Sequence, residues 1–280
     1  MSPRGLATLT GLAIFAAAAA ASAFRPARPV ARPAIARATH AEAPEAPAVS
    51  AQDFPWLPYD GSFTFARIRY QDGGGRGFRR SRGFRGDPGW HHDYPDAERN
   101  FSKIVQEVTF ARARQSEYGG NILTLDDPRL ALFPIAYMSE PGDWIPGDEE
   151  VAGLRSYLLK GGFIFFDDFA PGAMYNLEAQ MARVFPELQF MPVDGTEAIF
   201  DSFFKIDPAN IDLPSYRGYK PVWWVIYQDN DRTRRMLAVA GDQADLGEYW
   251  EFSDRGFYPI DLSNEAYKVG VNYLIYALTH

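Results

Sequence analysis

The chain has 280 residues, with 28 Lys and Arg against 36 Asp and Glu, 15% aromatic residues and no cysteine. The missing cysteine excludes a disulfide framework, a lipid-attachment cysteine and a thiol nucleophile. The first 52 residues hold five Arg and two Glu, so residues 53–280 carry 23 cations against 34 anions, about −11, a balance that excludes a general nucleic-acid binder.

The N-terminal segment reads as a signal peptide over residues 1–23. Met1 to Thr10 carries one cation, Arg4. Leu6 to Ala21 is small and apolar, and Ala21-Ser22-Ala23 supplies a small-residue cleavage pattern. The apolar run falls short of the roughly 20 residues of a membrane span. The alternative is an uncleaved segment that anchors the chain in the inner membrane. An exported, cysteine-free chain points to a bacterial cell envelope, in the periplasm or secreted. Residues 24–52 form a Pro/Ala/Arg-rich linker, with too little bulky apolar surface to offset the entropy of ordering. Its basic half allows weak membrane contact.

Residues 53–280 are the expected folded domain. Phe63-Thr-Phe-Ala-Arg-Ile-Arg69 alternates with period two and predicts a first strand. A Gly/Arg loop follows from Asp72 to Gly89 and contains Arg76, Arg79, Arg80, Arg82 and Arg85. Its glycines allow backbone amides to approach an anion that the guanidiniums would clamp, so it is a candidate anion-binding loop; the alternative is a mobile surface loop. Pro95 opens a helix in which Phe101, Ile104, Val105, Val108 and Ala111 recur at helical spacing to about Arg114. Asn121 to Leu125 and Leu132 to Tyr137 are the next strand candidates, with Pro134 demoting the second to an edge or a bulge.

Pro146-Gly-Asp-Glu-Glu starts a second helix, with acids in its first turn where the dipole favours them. Val151, Leu154 and Leu158 are its buried stripe, and Gly161-Gly162 ends it. Phe163 to Phe166 is an apolar strand covered on both faces, and it runs into Asp167-Asp168. A third helix spans Met174 to Val184, followed by a short strand from Leu188 to Met191. This alternation predicts a parallel α/β sheet. Val222 to Tyr227 and Arg235 to Ala240 flank Gln228-Asp-Asn-Asp-Arg232 as a hairpin, and Trp223 and Trp224 should divide between its faces. A closing helix runs from about Ser263 to Leu278.

Ligands in open α/β sheets bind beyond the carboxyl ends of the strands, so Asp167 and Asp168 mark the expected pocket. Adjacent side chains in extended backbone point oppositely, and Asp167, which directly ends the strand, is the favoured one. The alternative has one aspartate capping a helix or turn while the other faces water. His91-His92-Asp93 lacks the spaced ligands of a zinc site, and Asp93 reads as a turn or cap residue. No metal-ligand set is assigned, although carboxylate-only Ca²⁺ or Mg²⁺ binding by Asp93 with Asp167 stays open. Trp90, Trp223, Trp224, Tyr249 and Trp250 are core aromatics or, alternatively, stacking surfaces for sugars. No nucleotide-binding or α/β-hydrolase motif is present, and no cofactor is implied.

Several phrases occur together: Arg69-Tyr70, Trp90-x-x-Asp93-Tyr94-Pro95, Leu154-Arg-x-Tyr-Leu-x-x-Gly-Gly162, Asp167-Asp168, Asn230-Asp231 and Tyr249-Trp-Glu251. This set, over roughly residues 62–280, resembles an uncharacterised bacterial family of exported or membrane-linked domains described as a domain of unknown function. The resemblance implies a flavodoxin-like, class I glutamine amidotransferase-like fold: an open, mainly parallel sheet with helices on both faces, plus a C-terminal hairpin and a closing helix. It also draws Tyr70, Trp90 and Glu251 into the candidate ligand site beside Asp93, Asp167 and Asp168. Amidotransferases of that class use a cysteine nucleophile on a strand-to-helix turn, so glutaminase activity is excluded here. The family often carries a His-Pro pair before an Ile-Phe, where this chain reads Gly195-Thr-Glu-Ala-Ile-Phe200.

The first functional expectation is a non-catalytic binding or assembly module of the envelope, whose partner is an envelope protein or a small-molecule or glycan ligand. The alternative is a carboxylate-dependent hydrolase acting on a glycan or glycoside. Such enzymes need carboxyls about 5 Å or 6.5–9.5 Å apart, so Asp93 or Glu251 would have to oppose the aspartate pair. A divalent-cation-binding domain is the third expectation.

Overall fold

A computed structural model describes residues 54–71, 88–211, 213 and 218–280. The expected signal peptide, the linker and all five arginines of the Gly/Arg loop lie outside the described residues.

The elements run β1 (Phe65–Ile68), α1 (Asp96–Val108), β2 (Gly120–Leu123), β3 (Ile135–Ser139), α2 (Asp148–Leu159), β4 (Phe163–Asp167), α3 (Ala173–Val184), β5 (Met191–Pro192), β6 (Val222–Tyr227), β7 (Met236–Asp242), α4 (Leu246–Glu251) and α5 (Ile260–Thr279), with short 3₁₀ turns between. One seven-stranded sheet has the order β2-β1-β3-β4-β7-β6-β5. Its first five strands are mutually parallel, while β6 runs antiparallel to β7 and to β5. Taken in chain order the parallel strands read 2-1-3-4-5, the flavodoxin-like arrangement, whose topological switch point lies between its first and third strands. The expected C-terminal hairpin exists, but it is part of the sheet rather than an appendage. Its second strand, β7, is the fifth parallel strand.

Two apolar layers cover the sheet. One buries Phe65, Tyr137, Phe165 and Trp223 under α1, α4 and α5 through Phe101, Trp250, Leu274 and Tyr273. The other buries Ile68, Met138, Phe166 and Ala240 under α2 and α3 through Leu158, Leu177 and Met181, with Trp224 packed against it. The two tryptophans thus divide between the faces, as period two requires. In α5, a Cβ on Gly270 would meet the rings of Trp250 and Phe101 at 2.5 and 2.6 Å, so only glycine permits this approach of helix to helix.

The structure departs from the sequence expectations in five places. The first helix stops at Val108 rather than near Arg114. The Thr109 hydroxyl turns back onto the Val105 carbonyl at 2.7 Å, and the chain then extends so that Arg114 N–H reaches the Phe63 carbonyl at 2.8 Å. Pro134 does not make β3 an edge strand. It sits just ahead of the strand, its carbonyl accepts from Phe163 N–H at 2.9 Å, and β3 lies between β1 and β4. The strand expected at Leu188–Met191 is shifted to Met191–Pro192, at the sheet edge where a proline is tolerated. Helix α4 has no counterpart in the sequence expectations, and α5 begins at Ile260 rather than Ser263. No helix among the described residues is long and apolar enough to cross a membrane.

Candidate functional site: an acidic crevice at the switch point

The register places Ser139 of β3 opposite Asp167 of β4, so the two strands end level beside the switch point. The connections that leave β1, β3, β4 and β7 at this end each bend through a left-handed residue that is not glycine: Asp93 (φ 63°), Glu140 (φ 46°), Asp168 (φ 59°) and Gln243 (φ 66°). Aspartate tolerates this conformation better than most residues, yet each instance is strained, and such strain gathers at functional sites. It also has a direct geometric effect. A left-handed residue swings its side chain out of the usual alternation, so consecutive residues can face the same space.

This is how Asp168 reaches the crevice. Asp167, the aspartate favoured from the sequence, is 1% exposed and engaged with the fold. Its carboxylate accepts from the backbone N–H groups of Leu246 and Gly247, both at 2.9 Å, and from the Tyr137 hydroxyl at 3.3 Å. It therefore holds the first turn of α4, and burial still pushes its pKa up to about 6 against those hydrogen bonds. Asp168 faces His92, with Oδ2 2.6 Å from the imidazole Nδ1 and 3.3 Å from the Ser139 hydroxyl. The two adjacent aspartates divide between support and crevice, in the reverse of the order the strand end suggested.

His92 and Asp93 belong to the turn that leads into α1. His91 points away and packs against the rings of Trp90 and Tyr94. The turn is fixed from below by Arg67 of β1. The Arg67 guanidinium donates to the carbonyls of Trp90 and His92, each at 2.8 Å, and forms a buried ion pair with Glu98 of α1. Its guanidinium also lies 4.6 Å from the centroid of the Tyr137 ring.

Asp93 is the anomaly of the site. Its side chain is fully buried and neither carboxylate oxygen has a hydrogen-bond partner among the described residues. Its nearest cation is the His92 Nδ1, 3.5 Å from Oδ1. Its other oxygen, Oδ2, lies against α4: a Cβ on Gly247 would stand 2.3 Å from it. Burial drives the Asp93 pKa well above the carboxylate range; His92 opposes this, and Asp168, Glu248 and Glu251 add to it. Asp245 caps α4 by accepting from Glu248 N–H at 3.1 Å and is pushed up by burial and by Asp168 and Asp93. Glu251 is raised by burial and by Glu248. His92 is held protonated above its ordinary range by Asp93 first, against the cost of burial, and by Asp168.

Two groups of three side chains place one ligand atom each within 4.8 Å of the others: His92 with Asp93 and Asp168, and Asp93 with Glu248 and Glu251. Nitrogen and carboxylate oxygen donors at this spacing can hold a divalent cation of the Mn²⁺ or Zn²⁺ type. Of the residues expected from the sequence, Asp93, Asp168 and Glu251 meet here. Tyr70 and Trp90 do not; both are buried in the layer under α2 and α3, and the Tyr70 hydroxyl is directed at the carbonyls of Ser139 and Glu140. From sequence, His92 is weighed as a metal ligand within His91-His92-Asp93 and set aside for lack of ligand spacing, and Asp245, Glu248 and Arg67 are not among the residues expected. For Asp245 and Glu248 a signal was present, since Asp245-Leu-Gly-Glu248 has the spacing of a helix-capping box.

Strand order and side-chain placement together define an open, flavodoxin-like α/β domain with an acidic, histidine-bearing cluster at the carboxyl ends of its parallel strands. The chain belongs to the family described as Domain of unknown function (DUF4159), which matches residues 64–278 and so spans every residue of the cleft. The chain matches no curated protein sequence.

Proposed function

We propose that this domain is a divalent-cation-binding module of the bacterial cell envelope, with its site in the cleft formed by His92, Asp93, Asp168, Glu248 and Glu251. One observation carries the reading: a fully buried Asp93 carboxylate with no hydrogen-bond partner among the described residues, facing an imidazole and further acids. Burying a carboxyl group without a hydrogen-bond partner costs several kcal/mol, whether as desolvated charge or as the proton taken up to avoid it. A bound cation removes that cost and neutralises the neighbouring acids at once.

The carboxylate-only glycosidase reading has less support, because Asp167 is committed to the backbone of α4 and is not available to a substrate. Export rests on the N-terminal signal pattern, and mass spectrometry of the envelope form should find its first residue just after Ala23.

The cation reading is tested by melting the EDTA-treated chain with and without Mn²⁺ or Zn²⁺. A hundredfold excess over Kd adds about 2.7 kcal/mol to a protein that binds only when folded. The wild type should melt several degrees higher with cation and Asp93→Asn should not respond. Identical melting of the wild type in both conditions would remove the reading.

A further inference from the structure

The two oxygens of the Asp93 carboxylate face different parts of the cleft. Oδ1 is turned toward the His92 Nδ1 at 3.5 Å, and the same nitrogen lies 2.6 Å from Asp168 Oδ2. Oδ2 lies over the backbone of Gly247, in the turn of α4 that goes on to Glu248. Glu248 and Glu251 are three residues apart on that helix, so their side chains share a face. Each half of the cleft thus offers a complete set of three ligand atoms, and Asp93 is the only residue common to both.

From this geometry we infer that the cleft is a dinuclear centre: two divalent cations bridged by Asp93, one on His92 and Asp168, the other on Glu248 and Glu251. The inference rests on the cation reading above and adds to it a stoichiometry and a bridge. A single ion would leave one Asp93 oxygen buried and unpartnered against α4, together with two glutamates in close company. Two ions satisfy both oxygens. On the His92 side the ion takes the place of the proton now shared by imidazole and Asp168, and bond lengths of about 2.1 Å to N and O require those groups to part only slightly. On the α4 side, the Tyr258 hydroxyl donates to Glu248 Oε1 at 2.7 Å and fixes that ligand's orientation. Carboxylate-bridged ions sit about 3.5–4 Å apart, the spacing that lets a pair hold two oxygens of one bound molecule. The molecules such a pair would hold are oxyanions with two adjacent oxygens, such as a phosphate or a carboxylate.

The test titrates Mn²⁺ into the full chain after EDTA treatment and reads free Mn²⁺ by room-temperature electron paramagnetic resonance, with frozen spectra taken at saturation. The expected result is two ions per chain with a spin-coupled spectrum. Glu248→Gln combined with Glu251→Gln should retain one uncoupled ion, and Asp93→Asn should bind neither tightly, with folding of each variant checked by circular dichroism. No binding by the wild type would overturn the cation reading and this inference with it. One ion, unaffected by the α4 changes, would overturn the bridge and leave the cation reading intact. Two ions without coupling, or two ions retained in the α4 double variant, would overturn the assignment of ligands. The wild-type stoichiometry and coupling decide the matter even where a variant fails to fold.

Discussion

Two buried acids flank the start of α1 and are treated in opposite ways. Glu98 is 1% exposed and pairs with Arg67, itself as deeply buried, so the fold supplies its counter-charge. Asp93 is buried as completely at its side chain, yet its nearest cation is a part-exposed His92 shared with Asp168, and Asp168, Glu248 and Glu251 add negative charge around it. The same arginine links the two regions, because it also holds the carbonyls of Trp90 and His92. The ion pair is the anchor that keeps the turn carrying Asp93 in place. Where charge burial serves stability, this sheet neutralises it internally. At the carboxyl end of the strands, the proposed cations would supply the neutralisation that the described residues do not.

That contrast breaks most visibly at Glu98. Glu98→Gln strands the Arg67 guanidinium and should cost about 3–5 kcal/mol in urea unfolding, by the same amount with and without cation. A loss below about 1 kcal/mol would mean that the pair is not an anchor.

The pH dependence gives the next largest effect. Burial raises Asp167 from 3.8 to about 6, so the folded state binds a proton that the unfolded chain has already lost between these values. The sign follows: stability from this group is fully present below pH 4, declines as pH rises through about 6 and is absent above it. The span amounts to about 3 kcal/mol at 1.36 kcal/mol per unit. Asp167→Asn, melted in EDTA, should flatten that part of the profile. A profile of Asp167→Asn that still declines as the wild type does would contradict the assignment.

Asp93→Asn should have the opposite sign to Glu98→Gln. Replacing a buried carboxyl group that has no hydrogen-bond partner among the described residues should leave the EDTA-treated chain as stable as the wild type, or more stable by about 1 kcal/mol. With saturating Mn²⁺ the order should reverse. Destabilisation in EDTA as large as that of Glu98→Gln would erase the distinction between the two acids.

Tyr258→Phe should have the smallest effect. The loss of one hydrogen bond to Glu248 is worth about 0.5–1.5 kcal/mol, and it should weaken the second Mn²⁺ several-fold while leaving the first unchanged. Equal weakening of both ions in a Mn²⁺ titration would count against a separate α4 half.

The sheet was legible in the sequence wherever burial imposed a period. Phe163 to Phe166, the α2 stripe of Val151, Leu154 and Leu158, and the paired Val222 and Met236 strands all stand close to where the pattern put them. Ends were less legible, because local hydrogen bonds set them. Thr109 folding back on Val105 stops α1 while the apolar spacing still continues. Helix α4 was hidden by its length: six residues give too short a window for periodicity, and only the Asp245/Glu248 cap spacing betrays it.

The site was legible by residue type and position, not by orientation. Asp93, Asp168 and Glu251 could be named because strand ends and acidic residues can be read along the chain. Alternation anticipated that Asp167 and Asp168 would divide, but which of them faces the cluster, and the meeting of His92 with Asp93, depend on left-handed backbone at Asp168 and Asp93. Alternation rules assume extended chain and so assign these neighbours to opposite sides.

The most direct test of the central claim is a crystal of the chain soaked in Mn²⁺ and measured at the manganese absorption edge. Anomalous peaks are expected about 2.1–2.2 Å from the Asp93 carboxylate, one beside His92 and Asp168 and one beside Glu248 and Glu251. A cleft with no anomalous density, and with Asp93 paired instead to a protein group or an ordered water, would contradict that claim.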